Sequence, residues 1–150
     1  MYSKHEASKL KQEFWTKFGQ YMKPVLSAAG ETINWVNYKT GIPHIYFRMR
    51  AENNYASISI ELTHPSSLVQ QDQFEQLEDL RSMFQQAAGA AWVWQKNAVD
   101  ENGKHLGRIS IELPNVSVFR EADWPAIISF LKAGMIGLDT FWNDVKPAFE

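Results

Sequence analysis

The stretch Ile45-Tyr46-Phe47-Arg48-Met49-Arg50, with Ala56-Ser57-Ile58-Ser59-Ile60-Glu61-Leu62-Thr63 shortly after it, decides the fold. Its period is two. Ile45, Phe47 and Met49 point one way, and His44, Tyr46, Arg48 and Arg50 the other; Ile58, Ile60 and Leu62 then oppose Ser57, Ser59 and Glu61. Successive strand residues face opposite sides of a sheet, so each run predicts a strand with one buried face. Asn53-Asn54 between them suits a hairpin turn, because Asn tolerates positive φ.

Working outward, the same pentapeptide returns. Ile109-Ser110-Ile111-Glu112-Leu113 repeats Ile58-Ser59-Ile60-Glu61-Leu62 letter for letter, and predicts a strand over Arg108 to Leu113. A duplicated unit is one account of the repeat; the other is that alternating Ile and Ser is what any half-buried strand requires. A further strand carries Trp92 and Trp94 on one face and Ala91 and Val93 on the other. A short strand is also expected at Ile33 to Asn37, where Ile33 and Trp35 alternate.

Three-and-four spacing marks the helices. Leu10, Phe14, Phe18, Tyr21 and Met22 form a stripe on a helix from about Ser3 to Met22, with Pro24 ending or kinking it. A further turn through Val25 and Leu26 is expected to stop at Gly30. A second helix, Leu68 to Ala88, aligns Phe74, Leu77, Leu80, the stem of Arg81 and Phe84. The last begins near Asp123, an expected N-cap. It carries Trp124, Ile128, Leu131, Met135, Leu138, Trp142, Val145 and Phe149 on a heptad seam. Such a seam suits a homodimer, but Ile127, Phe130, Ile136 and Phe141 widen it toward a core helix of a monomer. Gly134 and Gly137 each cost roughly 1 kcal/mol in a helix relative to Ala, which predicts a close neighbour at each. The expected fold is α+β: an antiparallel-rich sheet of four to five strands, with three helices covering one face, in one domain spanning 1–150.

Composition narrows the chemistry. The 150 residues contain no cysteine, which excludes disulfides and thiolate chemistry and suits a cytoplasmic location. No apolar run approaches membrane-spanning length, so no membrane partner is expected. Net charge is −2, yet residues 1–50 hold eight basic and three acidic residues, a +5 excess; the remainder, with seven and fourteen, carries −7. A basic first third can form an anion-binding face.

Fragments of enzyme signatures do not assemble. Lys39-Thr40-Gly41 and Ser8-Lys9-Leu10-Lys11 match two elements of serine penicillin-binding enzymes, whose third element is missing. The four histidines stand singly, and neither metal nor other cofactor is expected. A metal-dependent nuclease core would need Pro-Asp entering one strand and Glu-x-Lys in the next. The corresponding residues are Pro43-His44 and Glu61-Leu62-Thr63, which leave only Glu61. Glu61 and Glu112 otherwise pair across strands with Arg48, Arg50 or Arg108. The segment Trp35-Val36-Asn37-Tyr38-Lys39-Thr40-Gly41 sets aromatic rings beside an amide and a cation, a combination that stacks on bases. Equally, Trp35 and Tyr38 can plug the end of the core.

Phe14-Trp15, Tyr21-Met22-Lys23-Pro24, Trp35 to Gly41, Ala56 to Leu62, Asp123-Trp124-Pro125 and Asp139-Thr140-Phe141-Trp142 together resemble the bacterial family called domain of unknown function 4268. The resemblance brings no catalytic residues. Through relatives that accompany nuclease-like domains, it implies nucleic-acid or defence association. The expected function is a non-catalytic interaction domain for a protein or nucleic-acid partner. Its candidate binding residues are Trp35, Asn37, Tyr38, Lys39, Arg48, Arg50 and Glu61. The alternative is a degenerate or atypical metal-dependent nuclease.

Overall fold

The computed structural model describes residues 3–150. Along the chain run α1 (Lys4–Met22), β1 (Ile45–Ala51), β2 (Tyr55–Leu62), α2 (Ser67–Asp79), α3 (Arg81–Ala88), β3 (Val93–Val99), β4 (His105–Pro114) and α4 (Trp124–Val145). The strands form one antiparallel sheet in the order β1-β2-β4-β3. This is the α+β class the alternation predicts.

The strand phase is as expected. Phe47 pairs with Ile60 and Met49 with Ile58 across β1 and β2, while Ile58 and Ile60 face Ile111 and Ile109 across β4. Ile45, Phe47, Ile58, Ile60 and Ile109 are buried beneath the helices, and Ile111 is half-buried beside them. Each fully buried aliphatic side chain stabilises by about 1.5–3 kcal/mol. Aromatic rings close the layer: Phe47 meets Trp142 edge-on at 5.7 Å, Phe84 meets Phe141 at 5.2 Å, and Phe74 meets Trp94 at 6.1 Å. The seam of α4 is consumed in this core, with Trp124, Leu131, Met135, Leu138, Trp142 and Val145 all buried. It is a core helix.

Both helical glycines have close neighbours. A Cβ on Gly134 would overlap Ile58 Cδ1, and one on Gly137 would lie 2.9 Å from the Ala87 carbonyl oxygen and 3.0 Å from Ala88 Cα. At Gly137 the obstacle is the backbone at the end of α3; at Gly134 it is the central strand's side chain.

Several expectations are corrected. Residues 33–37 form no strand. Asn34 Oδ1 accepts the Asn37 N–H at 3.1 Å, which turns the chain, and the Trp35 indole N–H donates to the Val25 carbonyl at 2.9 Å. Ile33 and Trp35 alternate because they pack inward from a loop. No helical turn follows Met22; Leu26 instead bridges Thr32, and Gly30 at φ 78° closes the turn between them. The expected second helix breaks at Leu80 (φ −98°, ψ 11°) into α2 and α3. Tyr21 lies off the buried stripe, exposed beneath the Lys132 ammonium at 5.1 Å. Trp92 precedes β3, although its ring is buried on the same side as Trp94. Asp123 stands at the start of α4, but its carboxylate accepts from Ser117 N–H and Arg120 instead of capping the helix.

Gly137→Ala tests the close approach of α3 and α4. At an open helix site this change gains roughly 1 kcal/mol; here overpacking is expected to lower the unfolding free energy by about 1–3 kcal/mol. A raised urea midpoint would show that α3 yields to the extra methyl.

Candidate functional site

The sheet has a second face, and it is polar. Register puts Tyr46 opposite Glu61, Arg48 opposite Ser59, Glu61 opposite Arg108, and Ser59 opposite Ser110. Glu61 sits on a central strand and its side chain is only 7% exposed. Arg50 Nη1 lies 3.0 Å from Oε2, Arg108 Nε 3.7 Å from Oε2, and Arg48 Nε 3.8 Å from Oε1. Ser59 Oγ adds a hydrogen bond to Oε2 at 2.9 Å. Three guanidiniums thus surround one carboxylate, leaving two positive charges in excess within the cluster. The arginine side chains remain 50%, 34% and 25% exposed for Arg48, Arg50 and Arg108. Arg48 also lies over the Tyr46 ring at 4.3 Å. Solvent therefore reaches the cations but hardly touches the anion.

Arg48, Arg50 and Glu61 are brought together as the alternation implies; Arg108, expected only as a pairing partner, completes the cluster. The repeated pentapeptide carries the signal for it. Antiparallel pairing of the two copies through Ser59 and Ser110 sets Arg108 opposite Glu61 and Ser57 opposite Glu112. The two glutamates share a local sequence and differ in their neighbours, so Glu112 stays exposed.

The loop residues serve the core. Trp35 is 2% exposed. The Tyr38 ring stacks on Phe47 at 5.0 Å, and its hydroxyl donates to Asp139 Oδ1 at 2.6 Å. Thr40 Oγ1 donates to the Ile45 carbonyl at 2.7 Å, and the Trp142 indole donates to the Thr40 carbonyl at 2.8 Å. Asn37 and Lys39 remain exposed. Neither Trp35 nor Tyr38 offers a free face for a base. A groove of about 570 Å³ runs between this loop and the outer edge of β1, joining Lys39 to Tyr46 and Arg48.

Asp139 is the residue that sequence reasoning missed. Only 6% exposed, it accepts the Tyr38 hydroxyl and, at 2.7 Å, the Ala28 N–H. A cavity of about 520 Å³ opens beside it, between the loop and the end of α4. Burial first, then the hydrogen bond to Asp139 and that carboxylate's charge, pushes the Tyr38 phenol well above its ordinary value.

Part of the +5 excess of residues 1–50 is engaged within the fold. Lys11 pairs with Glu52, and Lys17 lies over Trp124, both on α1. The guanidiniums of Arg48 and Arg50 project from the sheet's polar face. Around Glu61, the encircling guanidiniums disfavour a divalent cation. Among the described residues no three His, Asp or Glu side chains converge as a metal-binding group. The rings of His44 and His64 meet edge-on at 5.2 Å, and His64 Nδ1 accepts the Ser66 N–H.

The family described as Domain of unknown function (DUF4268) matches residues 10–146. The chain belongs to this family. No curated protein and no solved structure matches it. For a DUF4268 chain, then, the site must be argued from its own geometry. Among the described residues, no helix is long and apolar enough to cross a membrane.

Two measurements probe these arrangements. Glu61→Gln removes the anion and keeps the shape, leaving three guanidiniums in mutual repulsion. The unfolding free energy is expected to fall by about 1–3 kcal/mol, less than for a fully buried pair because the arginines are solvated. Added salt should shrink that loss in urea titrations; an unchanged stability at low salt would show that the arginines need no counterion.

The second concerns Tyr38. Below the ordinary phenol value of 10.0, folded and unfolded chains both keep its proton. Above it, the unfolded chain loses the proton first, so unfolding releases a proton and rising pH favours it. The stability advantage of wild type over Tyr38→Phe should be constant up to about pH 10 and shrink beyond. A constant difference through the alkaline range would contradict the buried hydrogen bond.

Proposed function

We propose that this chain is a non-catalytic docking module whose polar sheet face receives an acidic segment of a protein partner. The observation that carries the reading is the cluster of three guanidiniums on a single buried carboxylate. Its cations are held on β1 and β4, the two strands that flank β2, so little side-chain freedom is lost when a carboxylate arrives. Arginine offers planar, bidentate donors to such a group. The groove along β1 extends this surface to Lys39.

A nucleic-acid partner is less well supported. Single-strand binding combines cations that track a backbone with open aromatic faces. Here Trp35 is buried, Tyr38 is stacked on Phe47, and the exposed Tyr46 carries Arg48 over its ring. The nuclease alternative would need Glu61 to hold a cation inside a ring of cations.

A labelled oligo-glutamate peptide and a single-stranded oligonucleotide of equal charge, titrated in fluorescence anisotropy, separate the partner classes. The peptide should bind the wild-type chain at low salt. The Arg48→Ala/Arg50→Ala double variant should bind it about tenfold or more weakly, roughly 1.4 kcal/mol or more. Tighter binding of the oligonucleotide, with a steep salt dependence, would reassign the face to nucleic acid. Failure of both probes to bind would leave the cluster a purely internal pairing.

A further inference from the structure

We propose that the cavity between the residue 27–40 loop and the end of α4 binds a small primary amine that also carries a carboxylate or phosphate. Asp139 supplies the first half of the argument. Its carboxylate is buried, and its two partners, the Tyr38 hydroxyl and the Ala28 N–H, are both neutral. No Lys, Arg or His of the described residues lies within ion-pair distance of it. A carboxylate withdrawn from water without a countercharge is costly. Each oxygen still has acceptor capacity after one hydrogen bond, so the group can take an ammonium without releasing the loop. Tyr38 cannot supply the charge, since a phenol is never a cation.

The second half lies at the mouth. Lys39 and Lys146 line the same cavity, and neither has a carboxylate within ion-pair distance among the described residues. Lys146 reaches toward Gly41 instead of Asp139: its ammonium occupies the space that a Cβ at Gly41 would need, and Gly41 has φ 81°. The exposed Glu31 lines the cavity as well, so the lining carries two cations and two anions. Asp139 puts negative charge beside Tyr38 at the buried side, while Lys39 is exposed and Lys146 half-buried. That separation matches a ligand with an ammonium at one end and an anionic group at the other. The volume, about 520 Å³, is in the range that holds small molecules.

Isothermal titration of the full-length chain with β-alanine and with phosphoethanolamine tests the two anionic ends. Ethylamine, acetate and inorganic phosphate serve as single-charge controls. At least one of the doubly charged probes should bind about tenfold or more tightly than any control, and whichever does so names the anionic group. Lys39→Met and Lys146→Met lie at the rim and should keep the fold; each should weaken that probe several-fold. Asp139→Asn should abolish binding, and if that variant does not fold, the lysine variants decide. Arg48→Ala/Arg50→Ala should leave binding unchanged, so this site stands or falls separately from the sheet face. Equal affinity for ethylamine and the doubly charged probes, indifference to both lysine variants, or no binding of any probe would overturn the assignment.

Discussion

Helix α4 crosses β2 where Gly134 meets Ile58, and that close approach governs both faces of the sheet. With a helix this near, Ile58 and Ile60 must point toward it. A side-chain period of two then sends Ser59 and Glu61 to the opposite face. Glu61 stands on a strand with neighbours on both sides, so it is shielded even though no helix lies above it. A shielded carboxylate requires countercharge. Arg48 and Arg50 supply it from β1, and Arg108 from β4. Apolar packing on one side thereby dictates the electrostatics of the other.

Much of this was legible from residue order. Alternation at 45–50 and 56–63 gave the strand phase, because burial of one face leaves no freedom in a two-residue repeat. The seam on α4 was legible as a core helix from its added width. The polar face could be read in part, since Arg48, Arg50 and Glu61 follow from the same phase. What local patterns could not reveal was pairing between distant segments. Ile33 and Trp35 alternate like a strand, but a side-chain turn at Asn34 and a bond from Trp35 to Val25 bind them into a loop. The Tyr38–Asp139 contact spans 101 positions, and no periodicity announces it. Asp139 follows a seam residue and reads as solvent-facing until the loop folds over it.

The two Ile-Ser-Ile-Glu-Leu copies also bear on how the chain reaches this state. To β1, either copy offers the same ladder of isoleucine, serine and glutamate, so β4 is a decoy for the place that β2 occupies. Side-chain chemistry within the pentapeptide cannot distinguish them. Chain geometry can: three residues, 52–54, join β1 to β2, whereas β4 lies beyond two helices and another strand. The logarithmic growth of loop-closure entropy favours the near copy by on the order of 2–3 kcal/mol. The hairpin of β1 and β2 should therefore form first and commit Arg48 and Arg50 to Glu61 before the rival copy can compete, with α4 docking later over a sheet already in register. The short Asn53-Asn54 turn acts as a kinetic proofreader for a sequence that is locally ambiguous.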